Sequence, residues 1–151
     1  MKGSRCLAGL ALLLSLAASA TGAVEANGPT GEPNPLHGIW HNDKNAVHVE
    51  IASCGASECG RVVWATPNAQ ADARRGGTDP LIGARLVKNL KRDGNGVWRG
   101  KVFVPDINAT FSGTAKVIGP DALRMQGCVF ANLLCKTQVW TRVQAARPPD
   151  A

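Results

Sequence analysis

Gly38-Ile39-Trp40 opens, and Trp140-Thr141-Arg142 closes, a stretch of about a hundred residues made of short segments with a two-residue period. Val47, Val49 and Ile51 alternate with His48 and Glu50; Val62 and Trp64 flank Val63; Trp98, Val102 and Val104 are separated by Arg99, Lys101 and Phe103. Phe111, Ala115 and Val117 alternate with Ser112, Thr114 and Lys116, and Leu123 and Met125 with Arg124 and Gln126. Breakers fall between the runs: Cys54-Gly55, Asp93-Gly94-Asn95-Gly96, Pro105-Asp106 and Gly119-Pro120-Asp121. The Asp-Gly-Asn-Gly stretch is a strong hairpin signal. Eight strands are predicted, over 37–42, 46–53, 59–66, 84–92, 97–104, 110–118, 121–129 and 136–143. This is an all-β pattern, suited to an antiparallel up-and-down barrel or a sandwich. Between Pro67 and Gly83 the chain is polar and irregular, with at most a helical turn over Ala71–Arg75.

Outside this stretch the sequence changes character. Lys2 and Arg5 precede an apolar run, Leu7–Ala18, too short to span a bilayer, and Ala18-Ser19-Ala20 has the form of a cleavage signal. Residues 1–20 are therefore expected to be a signal peptide, which places the protein in the periplasm or outside the cell. Cys6 precedes the apolar run, so lipid attachment at the cleavage point is not expected. Residues 21–35 hold three Pro and three Gly and read as a flexible leader; residues 144–151 read as a disordered tail. What remains, about 36–143, has the size of one domain. Loss of Lys2 and Arg5 lowers the formal charge of +6 by two. A mild charge on an exported chain gives no reason to expect nucleic acid.

Four cysteines survive cleavage: Cys54, Cys59, Cys128 and Cys135. An even count in an exported chain reads as disulfides, and three connectivities are possible. Cys54–Cys59 with Cys128–Cys135 is favoured because each pair flanks a short turn-like segment. A four-cysteine zinc site would want tighter spacing than the gaps of four and six found here.

Six blocks in order look like one family. They are Gly38-Ile39-Trp40, Cys59-Gly60-Arg61-Val62-Val63-Trp64, Leu81-Ile82-Gly83, Val97-Trp98-Arg99-Gly100-Lys101-Val102, Gly127-Cys128 and Cys135–Val143. Together they resemble the exported bacterial family catalogued as domain of unknown function 2147. That resemblance implies a lipocalin-like (calycin) barrel, in which the Arg of the last strand lies across the Trp of the first and seals one end. On this reading Trp40 and Arg142 are a structural latch, not ligand contacts. The resemblance implies no reaction. The chain departs from the family after Pro105-Asp106, where relatives often carry a Tyr; this sequence has none.

Strand parity predicts an interior of Val47, Val49, Ile51, Val62, Trp64, Trp98, Val102, Val104, Phe111, Val117, Leu123 and Met125. An eight-stranded barrel is just wide enough to be filled by side chains or to hold one small ligand. Trp64, Trp98, Val102, Phe111 and Met125 are the candidate ligand-binding residues, and the ligand they imply is small and apolar. His37 and His41 share a strand face about 13 Å apart by rise alone, and His48 faces outward, so no metal site is expected. No Gly-x-Ser-x-Gly occurs, no cysteine is left free, and Asp72, Asp79 and Asp106 lie in loops, where turn roles come first. Neither an enzyme nor a cofactor is expected. Arg85, Lys88, Lys91, Arg92, Arg99 and Lys101 form a basic stretch that reads as a solvated outer face.

The expectation is a monomeric exported barrel that binds a small apolar ligand. The rivals are a barrel that meets an envelope protein through its surface or its 21–35 trunk, and a structural envelope factor without a pocket.

Overall fold

A computed structural model describes residues 32–129 and 133–144. The expected signal peptide, residues 21–31 of the expected leader and residues 145–151 of the tail lie outside the described residues. Eight strands follow in chain order: β1 (Gly38–His41), β2 (Val47–Ser53), β3 (Glu58–Ala65), β4 (Arg85–Arg92), β5 (Trp98–Val104), β6 (Ala109–Gly119), β7 (Ala122–Val129) and β8 (Leu134–Arg142). Each pairs antiparallel with the next, and β8 returns to β1, so the sheet is a closed up-and-down barrel rather than a sandwich.

The alternation read from the sequence sets the faces. Val49 and Ile51 on β2, and Leu123 and Met125 on β7, point inward and are buried, while Glu50 and Arg124 between them are exposed. Turn chemistry fixes the connections. In the β4–β5 turn the Asp93 carboxylate accepts from the amides of Asn95 and Val97 at 2.9 and 3.0 Å and from Arg99 Nε at 2.9 Å. The Val97 amide foremost holds this carboxyl below its usual range.

Two features depart from expectation. The stretch after β3 contains a nine-residue helix, α1 (Pro67–Arg75). Thr66 caps it by accepting from the Ala69 amide, and Pro67 sits in the first turn, where its missing N–H costs nothing. The second departure is a register shift between β2 and β3: His48 faces Trp64 but Val49 faces Val62. Val63 is the extra residue of a β-bulge.

One end of the barrel is closed by side chains. Leu36 and Trp40 are fully buried there, and Trp40 Nε1 donates to the Leu36 carbonyl at 2.9 Å. The Arg142 guanidinium lies 4.0 Å from the Trp40 ring centre. Its Nη1 and Nη2 donate to the carbonyls of His37 and Pro35 at 2.7 and 2.8 Å, and Nε to that of Pro120 at 3.1 Å. Gly38, at φ +129°, is where the guanidinium passes over the backbone; a Cβ there would collide with Arg142 Nη1.

The disulfides are local. Cys54–Cys59 ties the end of β2 to the start of β3, and Cys128–Cys135 joins directly opposed residues of β7 and β8. Neither links β1 to β8, so that seam is held without a covalent bond. Arg142→Ala removes a cation–π contact and three hydrogen bonds to exposed or half-buried carbonyls, and is expected to lower unfolding free energy by about 1–2 kcal/mol. Urea unfolding followed by tryptophan emission measures this. Arg142→Lys, which keeps the charge but not the planar fork, should recover only part of the loss.

Candidate functional site

The open end lies opposite the latch, where α1 covers the barrel mouth. Between α1 and the barrel floor is a cavity of about 440 Å³, within the size range of small-molecule sites. Its walls are Val47, Leu86, Val87, Val102, Met125 and Trp140, and Ala69, Ala73 and Leu81 form the roof. Helix α1 comes this close because Gly76, just after it, has no side chain: a Cβ would meet the Pro105 carbonyl. Polar groups lie among the apolar walls and at the mouth. Gln126 and Gln138 line the cavity, with Trp140 Nε1 donating to Gln138 Oε1 at 3.1 Å. Asp43, Lys44, Asp72, Asp106 and Lys136 ring the entrance with nearly balanced charge.

Of the residues predicted to bind ligand, Val102 and Met125 line this cavity. Phe111 is half-buried opposite Val102 in the ladder but is not part of the wall. Trp98 points inward as expected and is only 3% exposed, yet it packs at the closed end, where the Arg92 guanidinium sits 5.0 Å from its ring centre. Trp64 is a correction. It is 44% exposed and faces solvent, because the bulge at Val63 shifts parity: Val62 and Ala65 are buried, and Val63 and Trp64 between them are not. Trp140, Leu86 and Val87 are wall residues that sequence reasoning missed. Trp140 stands opposite the buried Leu123 in the β7–β8 ladder, and that pairing is the signal that turns it inward.

A second indentation, about 730 Å³, lies at the closed end among Pro33, Asn34, Ser57, Glu58, Lys91 and Arg92. It is larger but open; Leu90 and the predicted ligand residue Trp98 reach its wall, and turns and charged side chains make up the rest. Beside it Glu58 accepts from Asn34 Nδ2 at 3.0 Å and Ser53 Oγ at 3.2 Å, and pairs with His37 Nε2 at 2.6 Å. A serine, a histidine and a carboxylate meet here, and Ser53 Oγ also lies 3.5 Å from His37 Nε2. That nitrogen faces the Glu58 carboxylate at 2.6 Å, so it carries the proton and cannot take the serine's, which goes to the carboxylate. This is not the relay of an activated nucleophile. It ties residues 34–37 to β2 and β3.

The outer face holds a further grouping. His41 and His48 are directly opposed on β1 and β2, with ring centres 5.9 Å apart, and Trp64 stacks on His48 at 4.5 Å. Burial first, and His41 second, lower the His48 pKa from its ordinary value of 6.5.

An eight-stranded antiparallel barrel, latched at one end and hollow at the other, is the architecture of a lipocalin-type barrel. The chain belongs to the bacterial family of uncharacterized proteins DUF2147, whose model matches residues 38–142. Its structure is similar to that of protein HP1028 from the human pathogen Helicobacter pylori, which belongs to the lipocalin family. The TM-score is 0.58 at 13% identity, over 72% of this chain and 83% of that one. At that identity the likeness concerns the fold. No curated protein matches the chain.

Because His48 releases its proton more easily in the folded state, the unfolded chain binds more protons just below pH 6.5, and the His48 contribution to stability falls as pH drops through that window. The imidazole resonance of His48 should titrate below 6.5 by NMR. His41→Gln should raise that midpoint only part of the way, since burial is the larger cause.

Proposed function

We propose that this protein is an exported, non-catalytic binding protein that takes a small apolar ligand into the open end of its barrel. The observation that carries this reading is the 440 Å³ cavity walled by Val47, Leu86, Val87, Val102, Met125 and Trp140 under the α1 roof. Burial of a ligand's apolar surface against such walls contributes about 25 cal/mol per Å² before the cost of immobilisation. Gln126 and Gln138 would meet one or two polar atoms of the ligand. The nearly balanced charges at the entrance favour neither an anion nor a cation, which fits a neutral molecule. Ile107, Leu133 and Leu134 are exposed at the same end and give the mouth an apolar lip.

Export is supported by the signal-like residues 1–20 and by two disulfides, which persist in oxidising compartments. Among the described residues no helix is long and apolar enough to cross a membrane.

Gly127 supplies the test. It lines the cavity, and a Cβ built on it meets nothing within 4 Å. Gly127→Phe should therefore fill the hollow without disturbing the barrel. Phenylnaphthylamine, a neutral apolar fluorophore, is expected to brighten on binding the wild-type protein. Gly127→Phe should weaken this by about tenfold or more, equivalent to 1.4 kcal/mol or above, and Trp64→Ala should leave it unchanged. Equal affinity in wild type and Gly127→Phe would remove the cavity from the proposal.

A further inference from the structure

We propose that His41 and His48 form a two-imidazole site on the outer face of the barrel that binds a divalent transition metal, copper(II) foremost, with water completing the coordination shell. The site is separate from the cavity. It also runs against the sequence expectation of no metal site, in which His37 and His41 on one strand stand too far apart and His48 faces outward.

The β1–β2 turn creates the pair. Asn42 Oδ1 accepts from the amides of Ala46 and Val47 at 2.7 and 3.1 Å, and Asn45 takes φ +50°. The Asn42 amide donates to the Val47 carbonyl at 3.2 Å, so the next pair along, His41 with His48, is the closer, non-hydrogen-bonded kind. Directly opposed residues of an antiparallel pair share a face. A metal bonded to one nitrogen of each ring at about 2.0–2.1 Å lies a little over 3 Å from each ring centre, which allows centres up to about 6.4 Å apart. The observed 5.9 Å falls inside that bound.

Hydrogen bonds leave one nitrogen of each ring available. His41 Nδ1 lies 2.8 Å from the Asn42 carbonyl, which can only accept, so Nδ1 carries the proton and Nε2 the lone pair. His48 Nε2 lies 2.7 Å from Asn45 Oδ1, so its Nδ1 carries the lone pair. A ligating histidine is held in this way, by an acceptor that takes the proton of its other nitrogen. Trp64 packs on His48 from β3, Thr141 faces His41 from β8, and Glu50 follows His48 along β2. Among the described residues no three His, Cys, Asp or Glu side chains converge, so the protein supplies two ligands. Imidazole donors suit copper, nickel and zinc rather than calcium or magnesium, and copper(II) stands highest in the divalent series.

Trp64 makes the site readable. Copper(II) titrated into chelator-treated full-length mature protein should quench tryptophan emission at one equivalent, and magnesium should not. Electron paramagnetic resonance of the loaded protein should show two equatorial nitrogens. His41→Gln and His48→Gln should each weaken binding by at least about tenfold, the scale seen when even a supporting hydrogen bond of a ligand is lost. Asn45→Ala, which touches only that support, should weaken it measurably, and His37→Gln should not. Trp64→Phe should keep the affinity, measured by chelator competition, and lose most of the quenching. Lowering the pH through the imidazole range should release the metal. Unchanged affinity in either His41→Gln or His48→Gln, or loss of binding in His37→Gln, overturns the assignment.

Discussion

The contact between the Arg142 guanidinium and the Trp40 indole holds together residues about a hundred positions apart in the chain, and the barrel depends on it. β1 is four residues long and pairs with β8 over only two registered positions. So short a ladder leaves the seam between first and last strand weak in backbone bonds. The arginine supplies what the ladder lacks, with one face on the ring and its N–H groups on carbonyls from the N-terminal turn and the β6–β7 turn. Closure also removes the exposed strand edges that would otherwise offer themselves to other chains. Everything else in the interior presupposes a closed sheet.

Given closure, side-chain bulk decides where the barrel is solid. The latch end holds the large groups: Leu36, Trp40, Ile51, Leu90 and Trp98. The middle is tight as well, since a Cβ on Gly60 would press on Val49 and Val87 at 2.9 Å. Toward the other end three valines, Val47, Val87 and Val102, stand among the larger Leu86, Met125 and Trp140, and Gly127 contributes no side chain. The roof is a helix whose inward residues are alanines, Ala69 and Ala73. The hollow results from this gradient, within a barrel only just wide enough to contain one.

Much of this could be read from the residues. Period-two alternation and the Gly, Pro and Asp breakers located all eight strands, and the order of the short blocks pointed to the family. The errors have physical causes. A β-bulge costs one residue of parity and leaves no mark in an alternating pattern, so Val63 sent Trp64 to the wrong side. Asn89, at φ +54° within β4, marks a similar irregularity where the β4–β5 register slips. Helix α1 is mostly polar, with only alanines on its buried side, so no apolar stripe announced it. Its signal was the Thr66-Pro67 start, a cap rather than a periodicity. The facing of His41 and His48 depends on how the Asn42–Ala46 turn is wound, and two residues on different strands show their proximity only once a register is known.

Because β1 begins and β8 ends at the latched end, the chain enters and leaves the barrel on the side away from the cavity. A tether at either flank of the domain, whether natural or engineered, would present the mouth outward.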